Sequence, residues 1–339
     1  MQINVRRALA VDDVPPTPDL RRLATSLAHE IANVDRQLRR EGQTVPSADI
    51  KQHVAGRFWA FVDQAAQVEA QAGVDLALRT QCRNILAPWL WRSRFFNRSY
   101  HKPHGFAGDF RIIEWIYDLE SDRCDDPAQP GIVNCLDYVY STIHAVVSVQ
   151  QRRRWFTRLL HAERERLDGK LRVLDVACGG ARYIRDFLAS GRDVSAVEIT
   201  LVDQDAAALA FCRTRSLVPW LASARIETRP DSMVKLANHL GGRQFDVIIS
   251  AGLFDYLSDA IARHVLGHMA SLLAPGGIVA FSNFHVSDPS RVVKNWFVDW
   301  PLIYRDDDAC AALLPAALAV ASERPDNRAL CYATGRALA

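Results

Sequence analysis

From residue 20 to about 165, apolar positions recur every third or fourth residue. The stretches LRRLATSLAHEIANVDRQL and VAGRFWAFVDQAAQVEAQAG read as long amphipathic helices with one buried face, and further helices are expected around 76–96, 109–119 and 131–166. Breaks fall at 42–47, 101–108 and 125–131, where Pro, Gly and Asp gather. Before this region, Pro15, Pro16 and Pro18 leave residues 1–20 as a flexible arm. After residue 170 the period changes. Short apolar runs (VLDVA, AVEITLVD, FDVIISAG, IVAFSNF) alternate with helical patterns (ARYIRDFLAS, AAALAFCRTRSL, LSDAIARHVLGHMASLL). A short third strand is expected at 224–228, and a last strand near ALCYATG after a helix at 306–321. Strands alternating with helices predict a parallel sheet covered on both faces. The expected fold class is α/β: a Rossmann-like catalytic domain at 167–339, preceded by an α-helical domain or cap at 21–166.

Composition changes this picture little. The chain is 339 residues long, 49% hydrophobic and 24% charged, with 41 Lys and Arg against 39 Asp and Glu. Such a balance creates no global field for nucleic acid, and the densest basic run, Gln151-Arg152-Arg153-Arg154, reads as a solvated helix face. Cysteines at 82, 124, 135, 178, 212, 310 and 331 are scattered, with no C-x-x-C pair; reduced thiols in the cytoplasm are expected, and no metal site. The N-terminus is too charged for a signal peptide, and no apolar run reaches membrane-spanning length. An apolar stripe on the N-terminal helices could serve a homodimer or only the intramolecular interface.

The candidate chemistry begins at LRVLDVACGG. An apolar strand closes on Asp175, and the small residues Ala177, Cys178 and Gly179 let a ligand approach the backbone at the strand-to-helix turn. About 28 residues on, ITLVD closes on Asp203, followed by Gln204. An acid at the tip of the second strand of a βαβ unit is placed to take up both hydroxyls of a ribose. A pyrophosphate loop would instead want G-x-G-x-x-G, and here Ala177 replaces the first glycine while Asp175 repels an anion. The spacing resembles the nucleoside-binding half of class I S-adenosylmethionine (SAM) methyltransferases, whose cationic cofactor tolerates an acidic strand end.

FDVIISAGLFDYLSD resembles the fourth-strand segment of the same enzymes, with Ser250, Ala251 and Gly252 at the cofactor edge and Leu253, Phe254 and Tyr256 either walling the site or packing in the core. Asp231 and Ser232 occupy the position of an adenine contact or of a helix cap.

Two further segments narrow the resemblance. Lys102-Pro103-His104-Gly105-Phe106-Ala107-Gly108-Asp109 lies in the helical half; Asn283-Phe284-His285 with Pro289 and Arg291, then Asp299-Trp300 to Tyr304-Arg305, follow the fifth strand. Both resemble bacterial methyltransferases of 3-hydroxypalmitic acid methyl ester biosynthesis, makers of a fatty-acid quorum signal, over roughly residues 90 to 335. Those proteins carry a tyrosine where this chain has Phe106. The resemblance implies a SAM-dependent methyltransferase, with S-adenosylhomocysteine as product, acting on the carboxyl of a 3-hydroxy fatty acid or similar small acid. The alternative is an N- or O-methyltransferase of a small natural-product intermediate. Segment 98–109 reads either as a lid dense in polar groups or as a turn whose Asp109 caps the next helix. The candidate catalytic residues are Tyr100, His104, Asp109, His285 and Tyr304, as donors that hold an acid or as bases for an amine or hydroxyl. His285 reads equally as a structural group.

Overall fold

The computed structural model describes residues 19–73, 75–119, 125–233, 240–324 and 329–338. The expected N-terminal arm, apart from its last two residues, and Cys124 lie outside them.

Seven helices come first: α1 (Leu20–Arg40), α2 (Ala48–Ala72), α3 (Leu76–Leu90), α4 (Arg94–His101), α5 (Phe110–Asp118), α6 (Gly131–Ser141) and α7 (His144–Arg166). Most start on a side chain that accepts first-turn amide hydrogens: Asp19 for α1, Ser47 for α2, Asp75 for α3. The helix expected at 76–96 is broken. Ser93, fully buried, accepts from the Phe95 amide and starts α4 as a separate helix. The pattern at 131–166 likewise resolves into two helices meeting at 63°. At that corner the Thr142 hydroxyl donates to Val139 O at 2.8 Å and accepts from Trp59 Nε1 at 3.0 Å. No single helix among the described residues is long and apolar enough to cross a membrane.

A seven-stranded sheet follows, built of β1 (Leu171–Val176), β2 (Val197–Val202), β3 (Arg225–Arg229), β4 (Phe245–Ser250), β5 (Leu273–Phe284), β6 (Ala319–Glu323) and β7 (Leu330–Arg336) in the order β3-β2-β1-β4-β5-β7-β6. Its connections use α8 (Arg182–Leu188), α9 (Ala206–Phe211), α10 (Asp259–Ser271), α11 (Arg291–Trp296) and α12 (Asp307–Ala311). The first five strands are parallel, and β1, β2 and β4 are buried along nearly their whole length, hence their unbroken apolar runs.

Two expectations fail at the C-terminal edge. The sheet is mixed, because β7 runs antiparallel to both β5 and β6. The helix expected at 306–321 stops at Ala311, and residues 319–323 form an edge strand. Every residue of β6 is exposed, so no face alternates toward a core, and only pairing with β7 makes it a strand. One continuous set of buried residues runs from Leu20 in α1 to Tyr332 in β7, packing the N-terminal helices directly on the sheet. The strand order reverses between β1 and β4, which opens a crevice at their carboxyl ends.

Candidate active site

A cavity of about 330 Å³ fills this crevice, floored by the ends of β1, β2 and β4 and roofed by segment 98–109 with α5. The turn after β1 is built from backbone conformations that few side chains accept: Ala177, Gly179 and Ala181 have φ of 56°, 53° and 51°. The turn is held by the neighbouring strand. The Gly179 amide donates to Asp203 Oδ2 and the Asp205 amide to Oδ1, both at 2.9 Å, so the β2-tip carboxylate braces the glycine turn. The Cys212 thiol donates to Gly179 O at 3.2 Å. Gly180 leaves no room for a side chain because the Glu114 carboxylate occupies that space; Glu114 is held there by Arg182 Nε at 2.8 Å, and Arg182 reaches Asp118 as well.

Most of the expected cofactor residues meet here. Ala177, Cys178, Gly179, Asp203, Gln204, Asp231, Ala251 and Gly252 all line the cavity. Asp175 does not. It is fully buried beneath the turn and accepts from the Tyr183 hydroxyl at 2.7 Å, and its other oxygen has no partner. Burial, with the Asp203 charge nearby, lifts the Asp175 carboxyl to about 8 against the pull of Tyr183. Burial also raises Asp203, although its backbone hydrogen bonds oppose the shift. Ser250 is buried below the floor and Ser232 stands beside the lining. Leu253 and Tyr256 reach the cavity, whereas Phe254 packs on Phe281 with ring centroids 4.5 Å apart and belongs to the core.

The expected catalytic residues are dispersed. Tyr100 lies against Trp91, ring centroids 4.4 Å apart and the planes tilted by 32°, away from the lining. Asp109, 1% exposed, caps α5 through the Ile112 amide and pairs with Arg98 at 2.8 Å. His104 Nδ1 lies 2.9 Å from Asp205 Oδ2, tying the roof to the start of α9. His285 contacts the Ser287 hydroxyl at 2.7 Å and Arg324, and Tyr304 lies against Arg291 and Lys294; neither lines the cavity. The two distinctive segments nevertheless meet. Lys102 pairs with Asp299 at 2.7 Å, and a Cβ on Gly108 would sit 2.5 Å from the Trp300 ring and 2.8 Å from the Tyr256 hydroxyl. Arg305, buried, donates to Asn283 Oδ1 at 2.7 Å, Phe254 O at 2.8 Å and Leu257 O at 2.6 Å, locking the turn after β4 onto the end of β5.

Two residues escaped the sequence reading. Arg152, expected on a solvated face, is 5% exposed and lines the cavity. The signal was its phase: it continues the buried stripe Ala145, Val149, Phe156 and Leu160 of α7. Asp255 also lines the cavity and is 2% exposed. It accepts from the Phe284 amide at 2.6 Å; burial raises its carboxyl, and Arg152, Lys294 and Arg305 pull it back.

The cavity suits a cationic nucleoside. Asp203 presents carboxylate oxygens with spare lone pairs at the wall, Val202, Ala208 and Met233 give an apolar flank beside Asp231, and Gly179 brings bare backbone to the surface. A family profile described as a methyltransferase domain matches residues 173–277. No curated protein matches the chain. Among solved structures, a "possible exported protein" from Bordetella parapertussis aligns over 96% of this chain and 100% of its own, with 17% identity and a TM-score of 0.53. The N-methyltransferase NodS from Bradyrhizobium japonicum WM9, in complex with S-adenosylhomocysteine, aligns over 56% of this chain and 87% of its own, with 16% identity and a TM-score of 0.41. The 1,6-didemethyltoxoflavin-N1-methyltransferase of Burkholderia thailandensis aligns over 59% and 85%, with 20% identity and a TM-score of 0.42. Over residues 173–277, then, the chain carries a methyltransferase domain.

Proposed function

We propose that the protein transfers the SAM methyl group to a small molecule in this cavity, and that the acceptor is the carboxyl of a 3-hydroxy fatty acid or a similar small acid. In this reading residues 21–166 serve as a helical cap, 98–109 as its lid and 167–339 as the catalytic domain, working in the cytoplasm. The observation that carries the reading is the fate of the expected bases. Asp109 caps a helix and pairs with Arg98, His104 is engaged by Asp205, and His285 lies outside the lining. An amine or hydroxyl acceptor needs a base, whereas a carboxyl with a reference pKa near 4 is already ionised at neutral pH.

SAM supplies a methyl on a cationic sulfur, open to in-line displacement. The protein's part is to hold the acceptor in line and keep water out. Gly108 seated against Trp300 and Tyr256, with the Lys102–Asp299 and His104–Asp205 pairs, holds the roof down for that purpose. At about 330 Å³ the cavity is at the low end of the ~300–1,000 Å³ of ligand pockets, which favours a compact acid over a long acyl chain.

A second reading rests on Asp255. A buried carboxylate in the lining, raised by burial, would suit a base for an amine or hydroxyl of a natural-product intermediate. Transfer of radiolabelled methyl to a panel of hydroxy acids, phenols and amines separates the two. Label that alkali releases as methanol, formed at a rate flat between pH 6 and 9, is expected for a methyl ester. Alkali-stable label would sink the carboxyl reading and move the role to Asp255.

A further inference from the structure

Arg152 reaches the cavity from α7, and its guanidinium packs against a glycine in the floor: a Cβ on Gly252 would lie 3.2 Å from Arg152 Nη1 and 3.4 Å from Nη2. Its Nε has no hydrogen-bond partner. The nearby charges are otherwise matched. Lys294 pairs with Asp288 at 2.5 Å, and Arg305 with Asp259 at 2.8 Å. Arg152 meets the Tyr117 hydroxyl and feels the Asp255 charge, but Asp255 spends its short hydrogen bond on the Phe284 amide, and no carboxylate among the described residues makes an ion pair with Arg152. A buried guanidinium without an ion-pair partner is costly, and its planar fork matches a carboxylate.

The sheet order tells which carboxylate. Asp203, Gln204 and Asp231 gather at the β2–β3 side, where the ribose and adenine would sit. Arg152 stands at the opposite side, with Gly252 and Asp255 after β4, Phe284 at the end of β5 and Trp300 beyond it.

We propose that Arg152 is the receptor for the acceptor's carboxylate, so that the substrate is a compact monocarboxylate whose acid end meets Arg152 and whose aliphatic part lies against Phe106, Tyr256 and Trp300. This rests on the methyl-transfer reading above and names the group that selects its substrate. The guanidinium fork holds both carboxylate oxygens, and one of them uses its remaining lone pair to form the new O–C bond as the methyl C–S bond breaks, the sulfur keeping the electron pair. An anion and a sulfonium become a neutral ester and a neutral thioether, with no proton transferred.

The test is calorimetry on the full chain and on the R152Q and R152K variants, each checked for an unchanged melting temperature. S-adenosylhomocysteine is titrated first; 3-hydroxyoctanoate or its amide is then titrated into the saturated protein. The wild type is expected to bind the acid and not the amide. R152Q should hold S-adenosylhomocysteine within about twofold while losing about 10- to 100-fold in acid affinity, with R152K between the two, as for a lost charged hydrogen bond. Three outcomes overturn the proposal alone: R152Q binding the acid as the wild type does, the amide binding as well as the acid, or nucleoside affinity falling as far as acid affinity. The last would assign Arg152 to the cofactor's own carboxylate. A wild type that binds S-adenosylhomocysteine but no acid would overturn the acid reading itself, and the proposal with it. If R152Q does not fold, R152K decides: full acid affinity with lysine would refute a role for the planar fork.

Discussion

Asp203 is the residue whose removal is most informative, because its bracing of the turn and the ribose contact proposed for it are separable by measurement. Each carboxylate oxygen already accepts a backbone hydrogen, from Gly179 and from Asp205 at 2.9 Å, and the carboxylate lines the cavity with acceptor capacity to spare. In Asp203→Ala both backbone donors lose their partner without ligand present. At about 1–3 kcal/mol for a buried donor left unmade, the apo protein should lose about 2 kcal/mol or more of stability. The ribose contact goes as well, and a charged acceptor at about 1.5–3 kcal/mol should weaken S-adenosylhomocysteine by about 10- to 150-fold. Asp203→Asn sharpens the argument. An amide has one acceptor atom for two facing N–H groups, so its NH2 must oppose either Gly179 or Asp205. Asn should therefore rescue well under half of the lost affinity, although it is nearly the same size. Calorimetric titration and thermal melts of the three proteins measure both effects. Asp203→Ala binding the nucleoside within twofold of wild type would remove the ribose from the β2 tip. Full rescue by Asn would refute the two-acceptor geometry.

Two other perturbations probe the roof and the buried acid. Gly108→Ala puts a methyl 2.5 Å from the Trp300 ring, and overpacking of this kind costs about 1–3 kcal/mol; turnover should fall while S-adenosylhomocysteine affinity holds, and wild-type turnover would show that the contact does not close the site. Asp175 keeps its proton to about pH 8 in the folded chain, whereas in the unfolded chain it releases it near 4. Its contribution is thus complete below pH 4 and is lost as pH rises toward 8. Asp175→Asn should abolish that part of the slope in urea unfolding between pH 5 and 8.5. Parallel profiles for the two proteins would count against a protonated Asp175.

Much of the sheet-bearing half could be read from the chain. The runs closing on Asp175 and Asp203 are apolar because β1 and β2 are buried on both faces, and small residues follow because the turn needs left-handed backbone at Gly179. Those are local demands, so they leave a local pattern. Segments 98–109 and 283–305, distant in sequence, are brought together by the fold through Lys102–Asp299 and Gly108–Trp300.

What the sequence could not show depends on distant partners. Strand β6 has no buried face, so its identity comes wholly from pairing with β7. Asp109 carries the same residue type whether it caps a helix or serves as a base, and its burial against Arg98 and the Ile112 amide makes it a cap. Arg152 sits in a basic run that composition reads as solvated. Only the packing of α7 over Gly252 turns that one guanidinium inward while its neighbours stay on the other faces of the helix. Periodicity reports whether a side chain is buried; it carries no record of what waits across the gap, and that is settled by tertiary packing.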